Sequence, residues 1–165
     1  MPGIYDDELQ EKLYDWTVKH RTDYLQTGGV KGHLMDMRMI GSYRIEPMCL
    51  IRYVGRKSGK EMVTGLGYVQ YGPEIIIVAS LGGADVSPQW YHNIKAGGPL
   101  DFQIATQAFN TSWRELDGDE YEDAWTFVAR SNPAFGQYRK ATTRKIPLIA
   151  MTALDEIPVF TDPDA

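Results

Sequence analysis

Four cations stand between residues 52 and 60 with no acid among them: Arg52, Arg56, Lys57 and Lys60. Four more, Arg139, Lys140, Arg144 and Lys145, crowd a second acid-free window. Together the windows hold about half of the 17 Lys and Arg in a 165-residue chain with 22 acids and a net charge of −5. A local positive potential attracts an anion whatever the net charge. One reading is therefore a single site for a multiply charged anion; the other is two solvated surface loops. Net acidity argues against general nucleic-acid binding.

The first window contains Gly55-Arg56-Lys57-Ser58-Gly59-Lys60. It is not a P-loop, which needs one more residue before its Gly-Lys and then Ser or Thr. Its glycines would let backbone amides approach a ligand, Ser58 adds a hydroxyl, and three cations neutralise charge. A plain basic hairpin turn fits the spacing equally well. Ser80-Leu81-Gly82-Gly83-Ala84-Asp85 leads into a predicted helix, whose N-terminus favours anions. Pro88-Gln89-Trp90-Tyr91-His92-Asn93 opens that helix, with Ser87 as the expected N-cap. Trp90 is either a stacking wall for a flat ring or core. Tyr138 adjoins the second window, and with Tyr68 and Phe135 it makes an aromatic set. Aromatics on one turn and cations on the next suit a flat ring with an anionic tail; ordinary helix packing is the alternative. His20, His33 and His92 have no metal-ligand spacing and no cysteine partner, so no metal site is expected.

Those groups need a scaffold. An apolar fraction of 43% is enough to build a core in one domain of this length. No window holds the ~18 apolar residues of a membrane span. The opening Met1-Pro2-Gly3, followed by Asp6-Asp7-Glu8, is not the pattern of a secretory signal or transit peptide. Cys49 alone cannot form an internal disulfide, so the chain reads as cytoplasmic. Residues 6–26 have helical periodicity, ended by Gly28-Gly29. This helix packs on the core in one reading and meets a lipid surface or a partner in the other. Strands are predicted over 48–54, 62–71, 74–80, 100–106, 109–116 and 146–152. Gly65 and Gly67 mark a bulge or a close backbone approach. Helices are predicted over 88–96, 119–131 and 133–143. The pattern is α+β: an antiparallel sheet or barrel with helices packed outside. The domain reading is a helical extension over 1–26, a barrel over 27–152 and a flexible tail over 153–165.

Taken in order, Gly55 to Gly59, Thr64 to Tyr68, Val78-Ala79-Ser80, Gly82 to Asp85, Pro88, Trp90-Tyr91, Asn93, Tyr138 and Arg144 to Pro147 resemble the deazaflavin-dependent nitroreductase family. The resemblance implies a split β-barrel of the FMN-binding, pyridoxamine-phosphate-oxidase-like type. It implies coenzyme F420 as cofactor, whose phospholactyl-oligoglutamate tail is a multiply charged anion. FMN in the same barrel ranks lower. By this resemblance Gly55, Arg56, Lys57, Ser58, Gly59, Lys60 and Thr64 bind the cofactor, the Arg56–Lys60 loop holding phosphate and tail. Ala79, Ser80, Gly82, Gly83, Trp90, Tyr91 and Asn93 line the ring. Tyr68, Phe135 and Tyr138 form the pocket of a small-molecule acceptor, with Tyr138 as catalytic candidate. The implied activity is hydride transfer from reduced F420 to a quinone, activated alkene or nitroaromatic; a deazaflavin- or quinone-binding module without turnover is the alternative. Related barrels form homodimers, and family members work at the membrane surface. The chain departs from the pattern at Met62, Gly65 and Leu81, where Arg, Pro and Lys are usual.

Overall fold

A computed structural model describes residues 7–40 and 44–165. The helices are α1 (Asp7–Gln26), α2 (Gln89–Lys95), α3 (Gly118–Ser131) and α4 (Pro133–Ala141). The strands are β1 (Leu34–Asp36), β2 (Ile45–Val54), β3 (Glu61–Tyr71), β4 (Glu74–Val78), β5 (Asp101–Ile104), β6 (Gln107–Glu115) and β7 (Leu148–Ile157). The first six residues of the helical extension lie outside the described residues.

The unbroken Ile-Val run of β4 has two buried faces to fill. Ile75 and Ile77 face a core with Cys49, Ile51, Phe102, Ile149 and Met151. Ile76 and Val78 face another, beneath Tyr121, Trp125 and Val128 of α3 and Phe135 of α4. The strand order β2-β3-β4-β7-β6-β5 is antiparallel throughout. Leu50↔Gln103, Ile51↔Phe102 and Arg52↔Asp101 join β5 back to β2 and close the barrel. The first core fills it; α3 and α4 cover one outer face. On another outer face Tyr24 and Leu25 of α1 pack with Leu50, Val63, Ala108 and Phe160. The fold is thus an antiparallel barrel with helices outside, of the split-barrel class.

Alternate residues of β2 point into the barrel and out to the helices. α1 ends where Gly28-Gly29 predicts, the Gly29 amide donating to the Tyr24 carbonyl at 2.9 Å. The Tyr24 hydroxyl is buried, accepts from the Ala105 amide at 2.7 Å and reaches the Met48 and Gln103 carbonyls. Burial raises its pKa above the usual tyrosine value.

Four expectations need correction. β2 starts at Ile45, not 48, because β1 pairs with its first residues, Leu34 opposite Pro47. No bulge falls at Gly65 or Gly67, whose pairing with Leu50 and Met48 is continuous; the shift lies in β6, between Phe109 and Thr111. Ser87 does not cap α2. Pro88 holds that position, and the Ser87 hydroxyl accepts instead from Arg144 Nη1 at 3.2 Å. Finally, residues 153–165 are not loose. β7 runs on to Ile157, the Phe160 ring is buried, and its amide donates to Gln103 Oε1 at 2.8 Å. An acidic, proline-bearing composition hid one aromatic anchor. Among the described residues no helix is long and apolar enough to cross a membrane.

Candidate active site

An open cleft of about 360 Å³ lies on the outside of the barrel. Its floor is the outer side of β2 and β3, with Met48 and Thr64 to Gly67. Leu13 and Thr17 of α1 form one wall; Ala134, Phe135 and Tyr138 of α4 form the other. Ser80, Leu81 and Gly82 close one end together with Pro88 and Trp90. Its volume is at the lower end of small-molecule sites, ~300–1,000 Å³.

Three contacts fix the ends of this cleft. Gly83 has φ +82°, and a Cβ there would stand 2.9 Å from the Tyr138 carbonyl oxygen and 3.0 Å from its Cα. The loop therefore lies directly on the backbone of α4 and sets the position of Tyr138, whose ring meets Phe135 edge-on at 5.9 Å. Arg144 fastens the same loop from below. Its guanidinium donates to the carbonyls of Ala84 at 2.7 Å, Ser80 at 2.8 Å and Ala79 at 3.0 Å. The Ser80 hydroxyl makes no hydrogen bond among the described residues, and Ser80 lines the cleft.

A smaller pocket of about 190 Å³ adjoins the cleft and shares Glu46, Gly67, Asn132 and Phe135 with it. Glu46 is nearly buried and its Oε2 accepts from Asn132 Nδ2 at 2.7 Å. Asn132 also caps α4, its Oδ1 accepting from the Ala134 amide at 3.0 Å. That bond fixes which end of the amide faces Glu46. Tyr68 lines the smaller pocket, its hydroxyl 2.8 Å from His33 Nε2.

The basic hairpin lies across α2 from the cleft. Arg56 contacts Asn93 Oδ1 through its amide at 3.1 Å and its guanidinium at 2.8 Å. Trp90, on the same helix, reaches the cleft. The hairpin turns its amides on itself: Gly55 donates to the Lys60 carbonyl, Gly59 to the Gly55 carbonyl, and Lys60 to Ser58 Oγ. The cradle of glycine amides expected from the sequence is therefore largely closed. Arg52 pairs with Asp101 at 2.7 Å. Lys57 and Lys60 are exposed and make no ion pair among the described residues. The second window is occupied differently: Arg139 pairs with Glu122 and Lys145 with Asp117, while Arg144 holds the loop.

Of the residues singled out from sequence, Thr64, Ser80, Gly82, Trp90, Phe135 and Tyr138 line the cleft. Gly83 stands behind it, and Ala79 is wholly buried in the core. Asn93 is a buried link to the hairpin. Tyr91 turns away: its hydroxyl donates to Glu115 Oε1 at 2.7 Å, and burial pushes its pKa up to about 12. Sequence reasoning missed Leu13, Thr17, Glu46 and Met48. Glu46 stands out only as an acid in an otherwise apolar run.

The structure thus brings together an antiparallel barrel, an open aromatic cleft on its outside, and, across one helix, two lysines with no ion pair among the described residues. Residues 19–153 match the family model described as F420H(2)-dependent quinone reductase, and the chain belongs to that family. It is similar to an F420H(2)-dependent quinone reductase of Mycobacterium tuberculosis, 30% identical over 136 residues, which are 81% of this chain and 87% of the relative. A solved F420-H2 dependent reductase is 32% identical, with a TM-score of 0.58 over 64% of this chain and 93% of its own. A second solved structure, of a domain-swapped dimer, is 30% identical, with a TM-score of 0.61 over 84% of this chain and 98% of its own. The chain is thus an oxidoreductase of the reduced-F420 type, with quinones as the acceptor class.

Proposed function

We propose that the cleft takes the deazaflavin ring of reduced F420 with a quinone stacked on it, and that the tail passes α2 to reach Lys57 and Lys60. The observation that carries this reading is the apolar, aromatic-walled cleft joined through α2 to two lysines with no ion pair. When bound, the coenzyme supplies a hydride. The chain's own residues bind and orient. Ser80 offers a hydroxyl at the ring edge, and the Ser80–Gly83 loop fixes how close the ring comes to α4. Phe135 and Tyr138 form the acceptor wall. The Tyr138 phenol donates a hydrogen bond to the acceptor oxygen as it gains charge, without ionising. Tyr68 supports the adjoining pocket. The relative solved as a domain-swapped dimer supports a homodimer, which light scattering on the purified protein reads directly.

The test is a fluorescence titration with oxidised and reduced F420 at two salt concentrations, followed by turnover with a short-chain benzoquinone. Micromolar or tighter binding that weakens with salt is expected. Lys57→Ala with Lys60→Ala should weaken it by about 10-fold, on the scale of one charge-assisted hydrogen bond. Salt-independent affinity, unchanged in the double variant, would remove the lysines from the site. Absence of binding would remove the coenzyme from the cleft.

A further inference from the structure

Arg144 is a charge without a counter-charge. It is half-buried, and it makes no ion pair among the described residues. Neutral groups surround its guanidinium instead: the carbonyls of Ala79, Ser80 and Ala84, and the Ser87 hydroxyl at 3.2 Å. Carbonyl dipoles satisfy its N–H groups but leave its net charge in place. Burial lowers its pKa from the usual arginine value, and the charge of Asp85 partly opposes this. Asp85 is exposed and accepts from the Thr142 hydroxyl at 2.8 Å. A neutral amide with two N–H donors could bond two of the same carbonyls without the cost of desolvating a cation.

On its outer side Arg144 meets a surface pocket with Tyr121 and two ion pairs that cancel, Arg139 with Glu122 and Lys145 with Asp117. On its inner side one loop separates it from the cleft. Ser80 gives its carbonyl to Arg144 and also lines the cleft, as do Leu81 and Gly82. A trans peptide sets its N–H opposite its carbonyl, so the Leu81 N–H turns away from the guanidinium. A cation fixed behind one wall of a cleft favours negative charge inside it.

We propose that Arg144 acts through the Ser80–Gly83 loop to favour the ionised form of oxidised F420 in the cleft, a role that rests on the reading of this cleft as the F420 site. In the oxidised coenzyme the ring phenol is conjugated to the pyrimidine carbonyls. It is a vinylogous acid: when its proton leaves to solvent, the negative charge spreads over both ends of the ring. Reduction saturates the carbon that carries the hydride and breaks that path, so the reduced ring keeps an ordinary phenol, of pKa ~10. Arg144 therefore discriminates between the two redox forms. It is a positioning residue that also supplies a field. The ionisable groups lining the cleft itself, Glu46 and Tyr138, are common to every variant compared below.

The test follows the visible absorption band of oxidised F420, which shifts as the phenol ionises, in a pH titration of the coenzyme bound to excess protein. Arg144→Gln keeps donors for the loop and removes the charge. Its bound coenzyme should ionise with a constant about 10-fold smaller than in the wild type, the low end for a lost nearby charge. Affinity for the ionised oxidised coenzyme should fall about 10-fold more than affinity for the reduced one. Arg144→Lys keeps the charge and loses most of the fork of hydrogen bonds, so its ionisation constant should stay within about 3-fold of the wild type. Asp85→Asn removes the opposing acid and should raise the constant about 2-fold at low salt, a shift that added salt removes. If Arg144 only holds the loop, Arg144→Lys fares no better than Arg144→Gln. That outcome, or an unchanged constant in Arg144→Gln, overturns the proposal alone. Should Arg144→Gln fail to fold, Asp85→Asn decides, and no shift at low salt overturns it. A wild type that binds neither redox form overturns it together with the reading of the cleft.

Discussion

Gly83 shows how one missing methyl group can set a site. A Cβ on it would meet the Tyr138 backbone and the Ala141 Cβ, none of which can yield as a flexible side chain could. Gly83→Ala should cost about 2 kcal/mol, from both the left-handed φ and the clash. Urea denaturation reads that directly; a loss below about 0.5 kcal/mol would mean that the loop slides off α4 cheaply. Leu81, two residues before it, has a φ of +48° without being glycine and is partly exposed in the cleft. At this scale the sequence was informative about residue types and less so about their use. The glycine pair, Ser80 and the aromatics were legible because their chemistry is local. Arg144 was not: as part of a cation run it reads as an anion ligand, and only the fold shows the carbonyls of Ala79, Ser80 and Ala84 around it. Glu46 was hidden for the opposite reason, being a single acid whose partner lies 86 positions away.

α1 is an element whose job depends on one contact. His20 is buried between the Trp16 ring, stacked at 5.1 Å, and the Tyr24 ring, while Nε2 donates to the Gly32 carbonyl at 2.8 Å. Its Nδ1 is buried without a partner and faces Gly65, where a Cβ would come within 2.8 Å. Gly65 is the notch that seats this imidazole. Burial holds the His20 pKa below its usual value, against the Gly32 carbonyl and Asp23, which raise it. The sign follows. Below a pH of ~6.5 the unfolded chain binds a proton at His20 that the folded chain resists, so stability is full above that pH and is lost as pH falls through the folded value. Thermal unfolding should therefore drop between pH 7.5 and 5.5, and His20→Phe should flatten much of that slope. An unchanged slope would assign the pH dependence to other groups. The amphipathic pattern of residues 6–26 foretold the helix but not its seat, because the seat is a gap in β3.

The whole molecule closes on itself through pairings that no local pattern announces. The strands were legible from β-branched runs and turns, whereas β2 meets β5 across some fifty residues, so barrel closure came from family resemblance rather than periodicity. The C-terminal segment was misread for a related reason. Phe160 sits under the Arg52 guanidinium at 4.5 Å, and Arg52 is itself held by Asp101, which ties the end of the chain to the closing seam. Phe160→Ala should cost about 3–5 kcal/mol while leaving the F420 affinity of the folded fraction unchanged. A loss under about 1 kcal/mol in chemical denaturation would show that this end of the chain is ornamental.

The seating of α1 has one more consequence. The floor of the cleft is a hydrogen-bonded sheet, but Leu13 and Thr17 belong to a wall that is fastened to it through an uncharged imidazole. Acid that loosens this wall widens the cleft, so F420 affinity should fall in acid before the barrel itself unfolds, which the fluorescence titration repeated at pH 5.5 reads.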